Sequence, residues 1–272
     1  MEFHNLSMAA SLPFTLLAIA FYIAGASWVI LHLARKVPAK PALVRFVGLS
    51  ALLTHGLALY SHMGLPNELN LGFIEATSLA NWLICAFILI ASLRHPTLNL
   101  AALLFPLAAI TLLFSQFYAS SSLPVTGHNS LFFHIVASLS AYSLFALASV
   151  QALLLALQNH QLKHRQVSGL LSVLPPLQTM ERLLFELLLA GQLLLSLGIL
   201  SGFIFLDTMF VAGMLHKTLL SLAAWLTFGL LLLGRWRFGW RGLTAVRWTL
   251  GGSLLLLLAY FGSKFILQFI LA

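Results

Sequence analysis

Runs of about 20 apolar residues recur along the whole of this chain, parted by short polar stretches, and they restrict its fold more than any other feature. Wound as a helix at 1.5 Å per residue, such a run crosses the ~30 Å of hydrocarbon in a bilayer. Lipid offers no partner to a backbone N–H or C=O, so each run must satisfy its own polar groups as a helix. The runs predict about eight spans, at roughly 11–33, 43–62, 76–93, 98–118, 130–157, 183–206, 215–233 and 246–270. The expected fold is all-α, a polytopic transmembrane helix bundle in which residues 1–272 form a single integral membrane domain.

Composition agrees, because only 7% of the side chains are charged against 61% hydrophobic. Soluble domains carry about 25% charged residues, so no water-facing surface can be built here. The charges there are give an orientation. All of the Lys and Arg except Lys217 and Lys264 follow spans one, three, five and seven. By the positive-inside rule that side is cytoplasmic, which places both termini on the outer, periplasmic side of a bacterial inner membrane.

The outer loops, about 63–75, 119–129 and 207–214, carry Glu68, Glu75 and Asp207. The inner connection 158–182 holds NHQLKHRQ and then a Leu-rich piece ending at Pro175 and Pro176, which predicts a short interfacial helix. A net charge of +8 would admit nucleic acid as a partner, but the cations lie in alternate loops with no basic, aromatic groove to follow a phosphate backbone. The expected surroundings are lipid. The N-terminus lacks the positive region of a secretory signal, so the first span is expected to be retained. Cys85, the single cysteine, makes no internal disulfide and reads as a small hydrophobe.

The histidines carry the chemistry. His32, His95, His160 and His164 sit at the cytoplasmic boundary beside Arg or Lys and read as interfacial polar residues. His55 lies seven residues before His62 on one face of span two, about 10 Å deeper in the membrane. An imidazole there needs a bonding partner, for which Thr54, Asn81 and Gln192 are the candidates, or else it marks a ligand, ion or proton path.

In GHNSLFFHIVASLSAY, His134 lies about one turn inside span five, with Ser138 and Tyr142 following on the same face and His128 in the loop before it. DTMFVAGMLHK opens span seven with His216 and Lys217 side by side. If their spans adjoin, His55, His62, His134 and His216 meet at one depth in the outer leaflet.

Heme wants such a place. Its iron takes axial imidazoles, its macrocycle suits apolar and aromatic walls, and its propionates need a cation at the water boundary. The iron candidates are His134, His216 and His55, with Lys217 toward a propionate and His128 and His62 nearby. No Cys-x-x-Cys-His run attaches heme covalently, so the cofactor would be heme b. Zinc or copper is the competing ligand, a histidine-dependent transporter or proton relay through His55 the competing activity, and a heme-free membrane scaffold the third reading. Hydrolase, P-loop and dinucleotide-binding signatures are absent, so nothing in the sequence points to bond-making catalysis.

Four segments carry a family resemblance over nearly the whole chain. FFHIVASLSAY, GFIEATSLANW with Glu75 and Trp82, LLLSLGILSGFIF and GRWRFGWRG stand in the order of the CcsA/CcmC-type cytochrome c assembly proteins, most closely their YpjD-like branch. The resemblance implies heme bound at the outer face and presented for cytochrome c maturation, with other maturation or heme-handling membrane proteins as partners. His134 matches the family's span-opening histidine. The family's Trp-rich loop before span seven is replaced by LDTMFVAGMLHK, and its second outer histidine is missing, so His216 is assigned in that histidine's place.

Overall fold

The structure is a computed structural model describing residues 2–63, 72–117, 129–164, 174–205 and 215–262. Among these residues the chain is helical, without a strand. Helix α1 covers Glu2–Leu33, α2 Pro41–Met63, α3 Phe73–Ala91 and α4 Ala101–Phe117, the last preceded by the tight turn Leu98–Leu100. Then come α5 (Asn129–Lys163), α6 (Leu177–Phe205), α7 (Leu215–Phe238) and α8 (Leu243–Leu257), the last widening into a π-helical turn at Leu258–Gly262. Each of the 8, α8 together with its π-helical turn, contains a stretch long and apolar enough to cross a membrane.

Several helices run past the expected spans, α1 beginning at Glu2 and α7 ending at Phe238. α5 continues to Lys163, where Gln158, Gln161, Leu162 and Lys163 are good helix formers. α6 starts at Leu177, directly after Pro175 and Pro176, so the charged turn before residue 183 is helical. There Arg182 Nε meets Glu186 Oε1 at 2.9 Å, an i,i+4 pair that keeps both charges inside the helix. Most of the Leu-rich piece before Pro175 and Pro176 expected to form a short interfacial helix, together with Glu68, His128, Asp207 and Lys264, lies outside the described residues.

The helices form two compact units, α1–α4 and α5–α8. In the first, α1 and α3 each pack against α2 and α4, closing a four-helix ring around Tyr22, Ile88, Phe105 and Leu112. Polar side chains tie its helices together. Gln116 Oε1 accepts from the Ser11 and Thr15 hydroxyls at 3.1 and 3.0 Å, and the Trp82 indole donates to the Leu52 carbonyl at 2.9 Å.

In the second unit α5 and α7 each pack against α6 and α8. The antiparallel register of α5 and α6 is marked from end to end. Gln158 donates to the Pro175 carbonyl at 3.0 Å and Gln151 to the Met180 carbonyl at 3.1 Å, Phe145 lies against Gly191, and Ser138 lies against Gly198. Gly191 and Gly198 stand seven residues apart on one face of α6, opposite Phe145 and Ser138, also seven apart. This is the small-residue seam by which membrane helices approach closely.

GRWRFGWRG closes α7 and turns into α8, and packing accounts for its glycines. A Cβ on Gly234 would lie 2.3 Å from the Trp240 indole, so only glycine fits beneath that ring. Gly239 and Gly242 have φ of +67° and +59°, and the Gly242 N–H donates to Glu181 Oε1 at 2.9 Å. This motif holds the hairpin at the end of the unit away from His134.

Candidate functional site

His55 is wholly buried in the first unit. Its Nδ1 lies 3.1 Å from Tyr22 Oη on α1, its Nε2 3.1 Å from Ser78 Oγ on α3, and the Tyr22 ring meets the imidazole edge-on. A neutral imidazole has one donor and one acceptor, and both are used here. The partners expected from the sequence are otherwise engaged. The Thr54 hydroxyl turns back to its own helix at the Ser50 and Ala51 carbonyls, Asn81 donates to the Thr77 carbonyl, and Gln192 donates to the Trp225 carbonyl. A polar side chain in a span bonds first to what its own helix or its packed neighbour offers, and spacing along one helix does not reveal the neighbour.

Ser78 shares a face of α3 with Glu75 and Trp82, so the GFIEATSLANW segment is the surface that receives His55. Replacing Tyr22 by Phe or Ser78 by Ala is expected to lower stability by about 1 kcal/mol each. In a double-mutant cycle with His55→Leu, measured by thermal unfolding in detergent, each should couple to His55; additivity would mean that the imidazole is held by other groups.

His134 lies partly buried one turn inside α5. Its Nδ1 is 2.8 Å from the Gly198 carbonyl and 3.1 Å from Ser201 Oγ, and the Ser201 hydroxyl donates to that same carbonyl at 2.8 Å. A carbonyl only accepts, so in the neutral ring the proton sits on Nδ1 and the lone pair on Nε2. Among the described residues no hydrogen bond engages Nε2. Gly198 permits this approach, since a Cβ there would stand 2.7 Å from Ser138 Oγ. The Leu-Gly-Ile-x-x-Gly run thus supplies both the seam and the carbonyl that fixes His134.

Below His134 the polar stripe of α5 continues inward. The Tyr142 hydroxyl meets Ser221 of α7, and its ring lies 5.7 Å from that of Tyr260. Lys217, four residues before Ser221, lies on the same face about 6 Å nearer the end where α5 begins. It is partly buried, with no ion pair or hydrogen bond among the described residues.

His216, exposed in the first turn of α7, is turned about 140° from the face of Ser221. His134, His216 and Lys217 therefore share one end of the second unit, while His55 belongs to the first. His62 falls in the last turn of α2 with its side chain outside the described residues, as is the whole of His128. Among the described residues no three of His, Cys, Asp and Glu gather as a compact metal site would require.

Sequence reasoning found the stripe His134, Ser138, Tyr142 but missed Gly198, Ser201 and Ser221. The first two had a signal, small residues at helical spacing in LGILSG.

Comparison with known proteins bears on the same segments. The family model described as cytochrome C assembly protein matches residues 43–271. Inner membrane protein YpjD of Escherichia coli K12 is 29% identical over 261 residues, 94% of this chain and 98% of that one, and YpjD of the O157:H7 strain gives the same figures. An uncharacterized 28.8 kDa protein of Azospirillum brasilense is 38% identical over 140 residues, 51% of this chain and 52% of its own. No solved structure matches. With the family model running from the second span to the end, and with helices fit to cross a membrane throughout, this multi-pass inner-membrane chain belongs to the cytochrome c assembly protein family.

Proposed function

We propose that this protein holds heme b non-covalently near the outer face of the bacterial inner membrane, for transfer or presentation in cytochrome c maturation. One observation carries the reading. The His134 Nδ1–H is bound to the Gly198 carbonyl, which leaves Nε2 aimed by a fixed ring and furnished with a lone pair. That is how proteins orient an imidazole for a metal. The donor set suits a heme as well, a neutral imidazole and a partly buried lysine at one end of the unit.

Lys217 supplies the cation for a propionate. His216, exposed at the same end of the second unit as His134, is the opposite axial ligand in this reading, whereas His55 belongs to the first unit. His128 and His62 are the remaining outer imidazoles. Bound heme supplies a redox-active iron and a cargo; the residues of this chain hold it, orient it and balance its charge. The outer placement rests on the loop charges.

The test is the visible absorption spectrum of the protein purified in mild detergent, with and without added heme, oxidised and reduced. A Soret band that survives gel filtration and shifts on reduction is the expected result. No band after heme loading would overturn the reading and leave the resemblance to the family one of fold.

A further inference from the structure

The hairpin between α7 and α8 holds more than packing requires. Its glycines and Trp240 are accounted for by the turn itself, whereas Arg237, Arg241 and Arg247 are exposed, and among the described residues none of the three enters an ion pair or a hydrogen bond. Beside them Trp236 and Phe238 are 83% and 74% exposed.

Their positions on the helices are specific. Arg237 ends a row that runs down α7 through Leu226, Leu230 and Leu233, all more than half exposed. Arg247 ends the corresponding row of α8 through Gly251, Leu254 and Leu258. Two lipid-facing rows thus terminate in guanidinium groups, with Arg241 in the turn between them. The Trp240 and Trp248 rings, 5.3 Å apart, brace the turn.

The geometry points to a binding site for the phosphate headgroup of an anionic phospholipid on this hairpin, with the acyl chains along the leucine rows. Arginine presents a planar fork of donors that matches phosphate oxygens. Exposed Trp and Phe suit the boundary between headgroup and hydrocarbon. Basic pockets among transmembrane helices on the cytoplasmic side, where the loop charges place this hairpin, take such headgroups. The neighbouring Arg182 differs, being committed to Glu186.

Native mass spectrometry of the full-length protein, titrated in detergent with phosphatidylglycerol or phosphatidylcholine of identical chains, tests this. Phosphatidylglycerol is expected to bind at least ~10-fold more tightly, and the triple variant R237Q/R241Q/R247Q to lose that preference. Arg182→Gln should retain it. Arg241→Gln, in the exposed turn, guards against misfolding of the triple variant and should weaken binding about threefold while leaving thermal unfolding unchanged. Equal retention of the two lipids, or equal binding by wild type and by the folded Arg241 and triple variants, would overturn the site. Displacement of the lipid by inorganic phosphate at low excess would overturn the lipid as its occupant.

Discussion

Replacing His134 with glycine is expected to abolish the Soret absorption of heme-loaded protein, and free imidazole added to that variant is expected to bring it back. The chemical rescue separates a ligand from a packing residue, because imidazole in solution restores an iron ligand but not the tie between α5 and α6. The tie contributes little on its own, a hydrogen bond between membrane helices being worth about 0.6–2 kcal/mol. Removing an axial ligand should lower heme affinity by two orders of magnitude or more, since loss of a mere outer-shell partner already costs about 10–100-fold.

Ser201→Ala is such an outer-shell change. It removes the hydroxyl that shares the Gly198 carbonyl with His134, and about a tenfold loss of affinity is expected, with the spectrum retained. His160→Ala, at the far end of α5, should change nothing. A His134→Gly variant with full heme occupancy, or one blind to imidazole, would remove His134 from the site.

The spans were legible because hydrophobic length is a one-dimensional property, read off without knowing any neighbour. Their ends were less so. Arg182 lowers local hydropathy and sets the expected start of the sixth span at 183, whereas the helix begins at Leu177, directly after Pro176. The same limit governs the histidines. A polar stripe such as His134, Ser138, Tyr142 lies on one helix and shows in its spacing. The partners of His55 lie on α1 and α3, and nothing local to FVGLSALLTHGLALYSHMG selects Tyr22 and Ser78 over Thr54 or Asn81. GRWRFGWRG was visible as a family segment, but its meaning as a turn built on left-handed glycines came only with the backbone angles.

Gly252→Leu is expected to destabilise the second unit by about 3 kcal/mol, and Phe228→Ala to relieve much of that loss when the two are combined. The Phe145 and Phe228 rings are stacked at 3.8 Å and 6°, and both are fully buried. A Cβ on Gly252 would lie 2.7 Å from two ring atoms of Phe228. Phe145 covers one face of that ring at stacking distance and itself rests on Gly191, where a Cβ would already stand 3.0 Å away, which leaves the ring little room to yield. Phe228→Ala alone leaves a cavity costing about 3–5 kcal/mol, and the leucine of the double variant would occupy it. The double variant should therefore be more stable than the sum of the singles by at least ~1 kcal/mol, read by thermal unfolding in detergent. Additive losses would mean that the rings move freely and that the glycines do not set the spacing. The consequence reaches the site, because the Phe145–Gly191 contact lies one heptad along the seam from Ser138–Gly198, and Gly198 carries the carbonyl that holds His134. Heme occupancy across the four proteins should follow their stability, falling in each single variant and falling less in the double than the two single losses combined, since the stack sets how closely α6 approaches α5.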